Sequence, residues 1–305
     1  MTMYNILKDT PRFKDLLLRH QVKHFDEKRA EQFSAITIVL PDGSICVSFR
    51  GTDDTIIGWK EDCNLSVYEK VPAQKDAVNY LLSEASYDKS SLIRICGHSK
   101  GGNLAVYSSV CASKEIRDRI IEVYSFDGPG FQNSFFNNEG YEEIKNRIIS
   151  IWSQNSLVGV LLKSAGRVEI IHSRVFGPLA HDGFNWTLIG TRFDREKELS
   201  EFSIFFQNLC NKYIENSTEE EKIALFNELF DVLLSSGYST LTELTNLSLP
   251  ETMKFLLSIN GSKEVRDFIR QVVRAIGKET TKRLGLINPY EESRENKGVG
   301  KGDEY

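Results

Sequence analysis

No apolar run in this chain approaches the roughly 18 residues that a membrane-spanning helix requires, which excludes an integral helical span. The opening stretch, MTMYNILKDTPRFKDLLLRH, mixes Asp, Lys and Arg among its apolar residues and reads without a signal-peptide core. Cysteine is scarce and scattered: Cys46, Cys63, Cys96, Cys111 and Cys210 are odd in number and include no C-x-x-C pair. A disulfide framework and a thiolate metal knuckle are thereby excluded, and buried free thiols in a reducing cytoplasm are the expectation. Positive charge is also short, with 38 Lys+Arg against 43 Asp+Glu and a net charge of -5, so no basic field is offered to nucleic acid. What is present is a globular composition, 40% hydrophobic over 305 residues, enough for a large core.

The most informative segment is LIRICGHSKGGN, residues 92 to 103. A short apolar β-type run meets Gly97-His98-Ser99-Lys100-Gly101, and Leu104, Ala105, Val106 and Tyr107 continue into a helix ending near Ser113. This is the strand, nucleophile elbow and helix of an α/β hydrolase, with Ser99 as the reactive atom's residue. A serine on so tight a turn has a strained backbone that only small neighbours can clear, and Gly97 and Gly101 are those neighbours. The turn places the Lys100 N–H at a helix N-terminus, where partial positive charge favours a developing oxyanion. The rival readings are an ordinary glycine-rich turn and a phosphate-cradling loop; the second lacks the G-x-x-x-x-G-K-[ST] spacing.

Around the elbow, apolar β-branched runs alternate with helical or loop segments. Ala35 to Leu40 and Ile45 to Arg50 flank the turn Pro41-Asp42-Gly43-Ser44, and a helix is expected near Ala73 to Leu82. Further strands are expected at Ile120 to Phe126, Arg147 to Trp152 and Val168 to His172. Such alternation predicts an α/β-hydrolase fold, a mostly parallel sheet flanked by helices, over residues 1–192. Composition changes near residue 193, and 193–287 reads as a helical extension or lid. Its helices are Glu196 to Glu215, a Ser217/Thr218-capped segment to Gly237 carrying Phe226, Leu229, Phe230, Leu233 and Leu234, and a later stripe of Val265, Phe268, Ile269, Val272, Val273 and Ile276. The polar residues 288–305 read as a disordered tail.

The chain resembles the class 3 (fungal-type) lipases and their uncharacterised bacterial relatives in FRGT at 49 to 52, in Trp59 and Asp62 within GWKEDCNL, and in GHSKGGNLA at 97 to 105 followed by Gly128 and Pro129. The resemblance covers roughly residues 30 to 190. It implies that the N–H of Thr52, the residue after Arg50-Gly51, is the second oxyanion donor, with its hydroxyl as a further one.

Five histidines bound the search for a base. His20 and His24 lie at i, i+4 in what reads as a charged N-terminal helix without further metal ligands, and His98, inside the elbow, reads as packing on the sheet. His172 ends a strand, and His181 lies in the following loop, GPLAHDGFNW, where the hydrolase order Ser, Asp, His places its base and where the lipase resemblance also aligns a histidine. His181 is preferred over His172. The acid departs from the lipase pattern, because Ser153-Gln154-Asn155-Ser156 carries no carboxylate where one is implied. Asp127, at the end of Tyr124-Ser125-Phe126, takes that role in this reading, against a turn-forming Asp or a fallback on Asp182, Asn155 or Ser156. Asp53 and Asp54 read as solvated loop residues, and no metal and no cofactor are expected.

The sequence thus predicts a cytoplasmic serine hydrolase that cleaves a carboxylic ester of a small molecule or lipid through an acyl-enzyme. Peripheral membrane contact and oligomeric state are left open. The alternatives are a non-catalytic ligand- or partner-binding protein on a degenerate hydrolase scaffold, and a lipid-surface binder working through the C-terminal helices.

Overall fold

The structure, a computed structural model, describes residues 3–26, 31–52, 65, 68, 70–235, 251, 254 and 262–283. Cys63, Trp59, Asp62, Asp53, Asp54 and the tail 288–305 lie outside the described residues. By its contacts the chain divides into two compact units, Met1–Asn246 and Leu247–Tyr305.

The first unit is built on an eight-stranded sheet in the order β1 (Leu17–Asp26), β2 (Glu31–Val39), β3 (Ile45–Phe49), β4 (Ile93–His98), β5 (Ile120–Phe126), β6 (Ile148–Ser153), β7 (Arg167–Ile171) and β10 (Arg195–Glu196). From β3 to β7 every pairing is parallel, while β1, β2 and β10 are antiparallel to their neighbours. A separate two-stranded ribbon pairs β8 (Leu188–Ile189) with β9 (Arg192–Phe193).

Local chemistry explains the key connections. The β2–β3 hairpin turns at Gly43, φ +79°, and Asp42 Oδ1 accepts the Ser44 N–H at 3.0 Å. Ile45, Val47 and Phe49 alternate inward along β3, as do Ile93 and Ile95 along β4. They pack into one buried cluster with Ala73, Ala77 and Leu81 of α2 (Pro72–Tyr87) and with Leu104 and Val110 of α3 (Lys100–Cys111). Lys100 to Val110 are all buried, as a helix of mostly small and apolar residues lying in the middle of the fold must be. The opposite sheet face is covered differently: Tyr124, Phe126, Ile149, Ile151 and Ile171 pack with Trp186 and Phe193 from the loop region after β7.

Two sequence expectations are corrected or extended here. The segment holding His20 and His24 is not a helix but edge strand β1, paired with β2 across a register shift between Arg19 and Val22. Cross-strand pairing overrides the mixed propensity of that segment. Its histidines serve separate acids, His20 Nδ1 meeting Glu84 Oε1 at 2.6 Å and His24 Nδ1 lying 3.7 Å from Asp76 Oδ2. No group of three or more metal-capable side chains occurs among the described residues.

The second concerns the residues after 192, where composition shifts but the sheet continues through β10. Helix α6 (Glu201–Asn216) starts five residues later than its sequence pattern suggests, its entry tied to the end of β6 by Ser200 N–H to Gln154 O at 2.8 Å. Helix α7 (Glu219–Ser235) carries the expected capping box: Thr218 N–H donates to Glu221 Oε2 at 2.8 Å, and Glu221 N–H to Thr218 Oγ1 at 3.3 Å. In the second unit, helix α8 (Lys263–Arg283) carries a buried stripe of Val265, Ile269 and Val273 at i, i+4, i+8. No helix among the described residues is long and apolar enough to cross a membrane.

Candidate active site

Strand β4 ends at His98, and the next residue, Ser99, bends the chain into α3 at φ 58°, ψ -131°, a conformation costly for any residue with a side chain. The bend closes so tightly that a Cβ on Gly97 would lie 2.1 Å from the Gly101 carbonyl oxygen. A Cβ on Gly101 would in turn lie 2.2 Å from the Phe49 carbonyl oxygen. Glycine at both positions is therefore demanded by close backbone approach. Ser99 itself is buried, with its N–H donated to Phe126 O at 2.9 Å.

The loop after β3 runs directly against this bend. A Cβ at Gly51 would stand 2.6 Å from His98 O and 3.1 Å from Ser99 Cβ, so Gly51 brings the start of the Thr52 loop into contact with the elbow. Lys100 contributes the first residue of α3, and its side chain runs buried to donate from Nζ to Gln32 O at 2.8 Å.

One strand over, β5 ends in a second strained residue. Asp127 sits at φ 48° with its N–H donated to Ile151 O at 2.7 Å, and its carboxylate is fully buried. Its Oδ2 meets His181 Nδ1 at 2.7 Å. His181 ends the 3₁₀ turn Gly177–His181 that follows β7, and its side chain is only 11% exposed. With Asp127 as a carboxylate, that contact places the imidazole proton on Nδ1 and leaves the lone pair on Nε2. Ser99, Asp127 and His181 thus come to the carboxyl edge of the sheet from three connections more than 80 residues apart at the extremes.

His98, read from the sequence as packing on the sheet rather than serving as base, is partly buried and lies against the candidate base. Its Nε2–H donates to the His181 carbonyl at 2.8 Å, and the two rings lie 4.5 Å apart at a 36° tilt. Burial, with the adjacent His181 adding to it, pushes the His98 pKa below the ordinary imidazole value. The strand alternation gave the usable signal, because His98 lies on the opposite face of β4 from the core residues Ile93 and Ile95.

The remaining candidates are occupied elsewhere. His172 Nδ1 contacts Glu196 Oε1 at 2.9 Å, beside β10. Asp182 Oδ1 accepts the Phe184 N–H at 3.0 Å and caps a short turn. Asn155 Nδ2 donates to Val175 O at 2.9 Å, and Ser156 Oγ accepts the Gly159 N–H at 2.9 Å, so the stretch lacking a carboxylate works as a loop clasp.

A family model described as Mbeg1-like matches residues 7–231. The chain belongs to the Mbeg1-like family. No curated protein matches it. Solved structures similar to this Mbeg1-like protein include the Lip2 lipase from Yarrowia lipolytica, at 13% identity and TM-score 0.41, covering 62% of this chain and 72% of that one. A Rhizomucor miehei lipase propeptide complex is 16% identical with TM-score 0.42, covering 70% of this chain and 69% of that one. A triacylglycerol lipase from Penicillium expansum is 12% identical with TM-score 0.36, covering 52% and 71%.

Proposed function

We propose that this Mbeg1-like protein is a serine hydrolase that cleaves a carboxylic ester of a small molecule or lipid through an acyl-enzyme. The observation that carries the reading is the 2.7 Å contact between His181 Nδ1 and the buried Asp127 carboxylate, next to a serine held at positive φ between a strand and a helix. In the proposed cycle Ser99 Oγ attacks the ester carbonyl while His181 Nε2 takes its proton. Asp127 orients the ring and stabilises the imidazolium that forms. The N–H groups of Thr52 and Lys100 receive the oxyanion, each such donor contributing about 3 kcal/mol to transition-state stabilisation. Collapse of the tetrahedral species expels the alcohol, which leaves with the proton from His181, and water then repeats the sequence on the acyl-serine. No cofactor takes part in this scheme. The free thiols Cys46, Cys96, Cys111 and Cys210 favour a reducing compartment such as the cytoplasm.

A fluorophosphonate probe tests the reading. Wild-type protein is expected to be labelled and Ser99→Ala not, with p-nitrophenyl ester turnover lost in parallel. A wild-type protein that folds but takes no label and turns over no ester overturns the proposal in favour of a non-catalytic binding scaffold.

A further inference from the structure

The Asp127 carboxylate is only half accounted for. Oδ2 is held by His181, whereas Oδ1 is buried without a hydrogen-bond partner. Four buried side-chain polar atoms among the described residues share that condition, and a second of them is Trp152 Nε1. Trp152 belongs to β6 and directly follows Ile151, whose carbonyl accepts the Asp127 N–H at 2.7 Å. The two unpartnered atoms face one place. A Cβ built on Gly159 would lie 2.7 Å from Asp127 Oδ1 and 2.8 Å from Trp152 Nε1, with the Trp152 ring carbon Cδ1 at 2.6 Å.

The chemistry of the two groups is complementary. An indole N–H can only donate and a carboxylate oxygen can only accept, so each is what the other lacks. Both atoms are buried, and an unmatched N–H beside an unmatched anionic oxygen is unfavourable there on both sides. The other described tryptophan, Trp186, shows the ordinary arrangement, donating from Nε1 to Ala180 O at 2.9 Å. Gly159 leaves the space between donor and acceptor free of a side chain, and its own N–H is fixed by Ser156 Oγ at 2.9 Å.

We propose that Trp152 is a positioning residue of the active site, its indole N–H serving Asp127 Oδ1 as a hydrogen-bond donor across the gap at Gly159, directly or through one water. The donor fixes the plane of the carboxylate so that Oδ2 stays in line with His181 Nδ1–H, and it stabilises the negative charge on which His181 leans. This rests on the reading of Asp127 as the acid of the catalytic set.

The test is Trp152→Phe, which removes the N–H and keeps the ring bulk. Ester turnover is expected to show kcat lowered about tenfold with KM unchanged, the scale on which hydrogen-bond partners of working side chains act. The acidic limb of the pH profile of kcat/KM is expected to move to higher pH, since a carboxylate without its donor holds the shared proton more tightly. A purely structural role would not move that limb, and unchanged kcat with an unmoved limb overturns the proposal. A readout independent of turnover is the indole N–H resonance of Trp152 in ¹⁵N-tryptophan protein, assigned by its loss in Trp152→Phe. It is expected to shift in Asp127→Asn, and no shift overturns the pairing whatever the enzyme does. A shifted resonance together with normal turnover in Asp127→Asn would uphold the pairing and defeat the catalytic reading of Asp127.

Discussion

Two residues at positive φ, Ser99 at 58° and Asp127 at 48°, close adjacent parallel strands, and each such conformation costs about 1–3 kcal/mol that surrounding packing must offset. At Ser99 the offset is visible in the buried small-residue helix behind it, and at Asp127 in the backbone bond to Ile151. His98 has a different task, because it touches His181 by ring contact and by a hydrogen bond to the His181 carbonyl. Its lowered pKa makes a pH prediction with a definite sign. As pH falls below about 6.5, the unfolded chain takes up a proton on this histidine that the folded chain resists, so stability present above that pH is lost on acidification. In His98→Gln the melting temperature should fall less between pH 7.5 and pH 5 than it does in wild type. At pH 7.5 the variant should be less stable by about 1 kcal/mol for the lost hydrogen bond. Equal acid-induced drops in both proteins would show that another group governs the change.

The β4–α3 junction is the element on which the site depends, and its tolerance is set by backbone contact. A methyl at Gly97 meets a carbonyl oxygen at 2.1 Å, which is backbone and cannot swing away. Gly97→Ala should therefore separate the strand from α3, lowering stability in urea by about 1–3 kcal/mol with an unchanged m-value, as an overpacked core does. Labelling of Ser99 by the fluorophosphonate should fall with it. Retained stability and labelling would show that the elbow has more room than its geometry indicates. These elements were readable in the sequence because strands such as Ile120–Phe126 and Ile148–Ser153 are short β-branched runs bounded by turn residues, and because the glycines of the elbow mark a steric demand. The strand β1 was not readable, since its mixed residues take their conformation from pairing with β2. At two residues, β10 is too short to show any period. The partnership of His98 with His181 spans 83 positions, and its acceptor is a main-chain carbonyl, which leaves no residue-type signature. Asp127 was legible only as a carboxylate at a strand end; the positive φ and the orphaned Oδ1 belong to the folded chain alone.

For the whole molecule, the question is where the sheet-based unit ends. Composition divides the chain at 192, whereas the contacts of the sheet unit continue to Asn246. The residues just past 192 do specific work: Arg195 and Glu196 pair with Ile171 and Ile170 at the sheet's edge, and Ser200 N–H and Ser203 Oγ both donate to Gln154 O at 2.8 and 3.2 Å. From α6, buried Phe202 packs edge-on against Phe176 at 6.0 Å, immediately before the turn that ends in His181. A chain stopped at 192 would lose the edge partner of β7, both donors to Gln154 and the brace behind the His181 turn. Such a truncation should fail to melt cooperatively and should collect in aggregates on gel filtration, whereas a chain ending at Asn246 should melt cooperatively and keep fluorophosphonate labelling. If the 1–192 chain melts within a few degrees of the full protein and still labels at Ser99, the helices after β10 are a separable cover and His181 is positioned without them. The contacts of Phe202 and Gln154 favour the other outcome, because they join α6 to the two loops that carry the clasp at Asn155 and the proposed base His181.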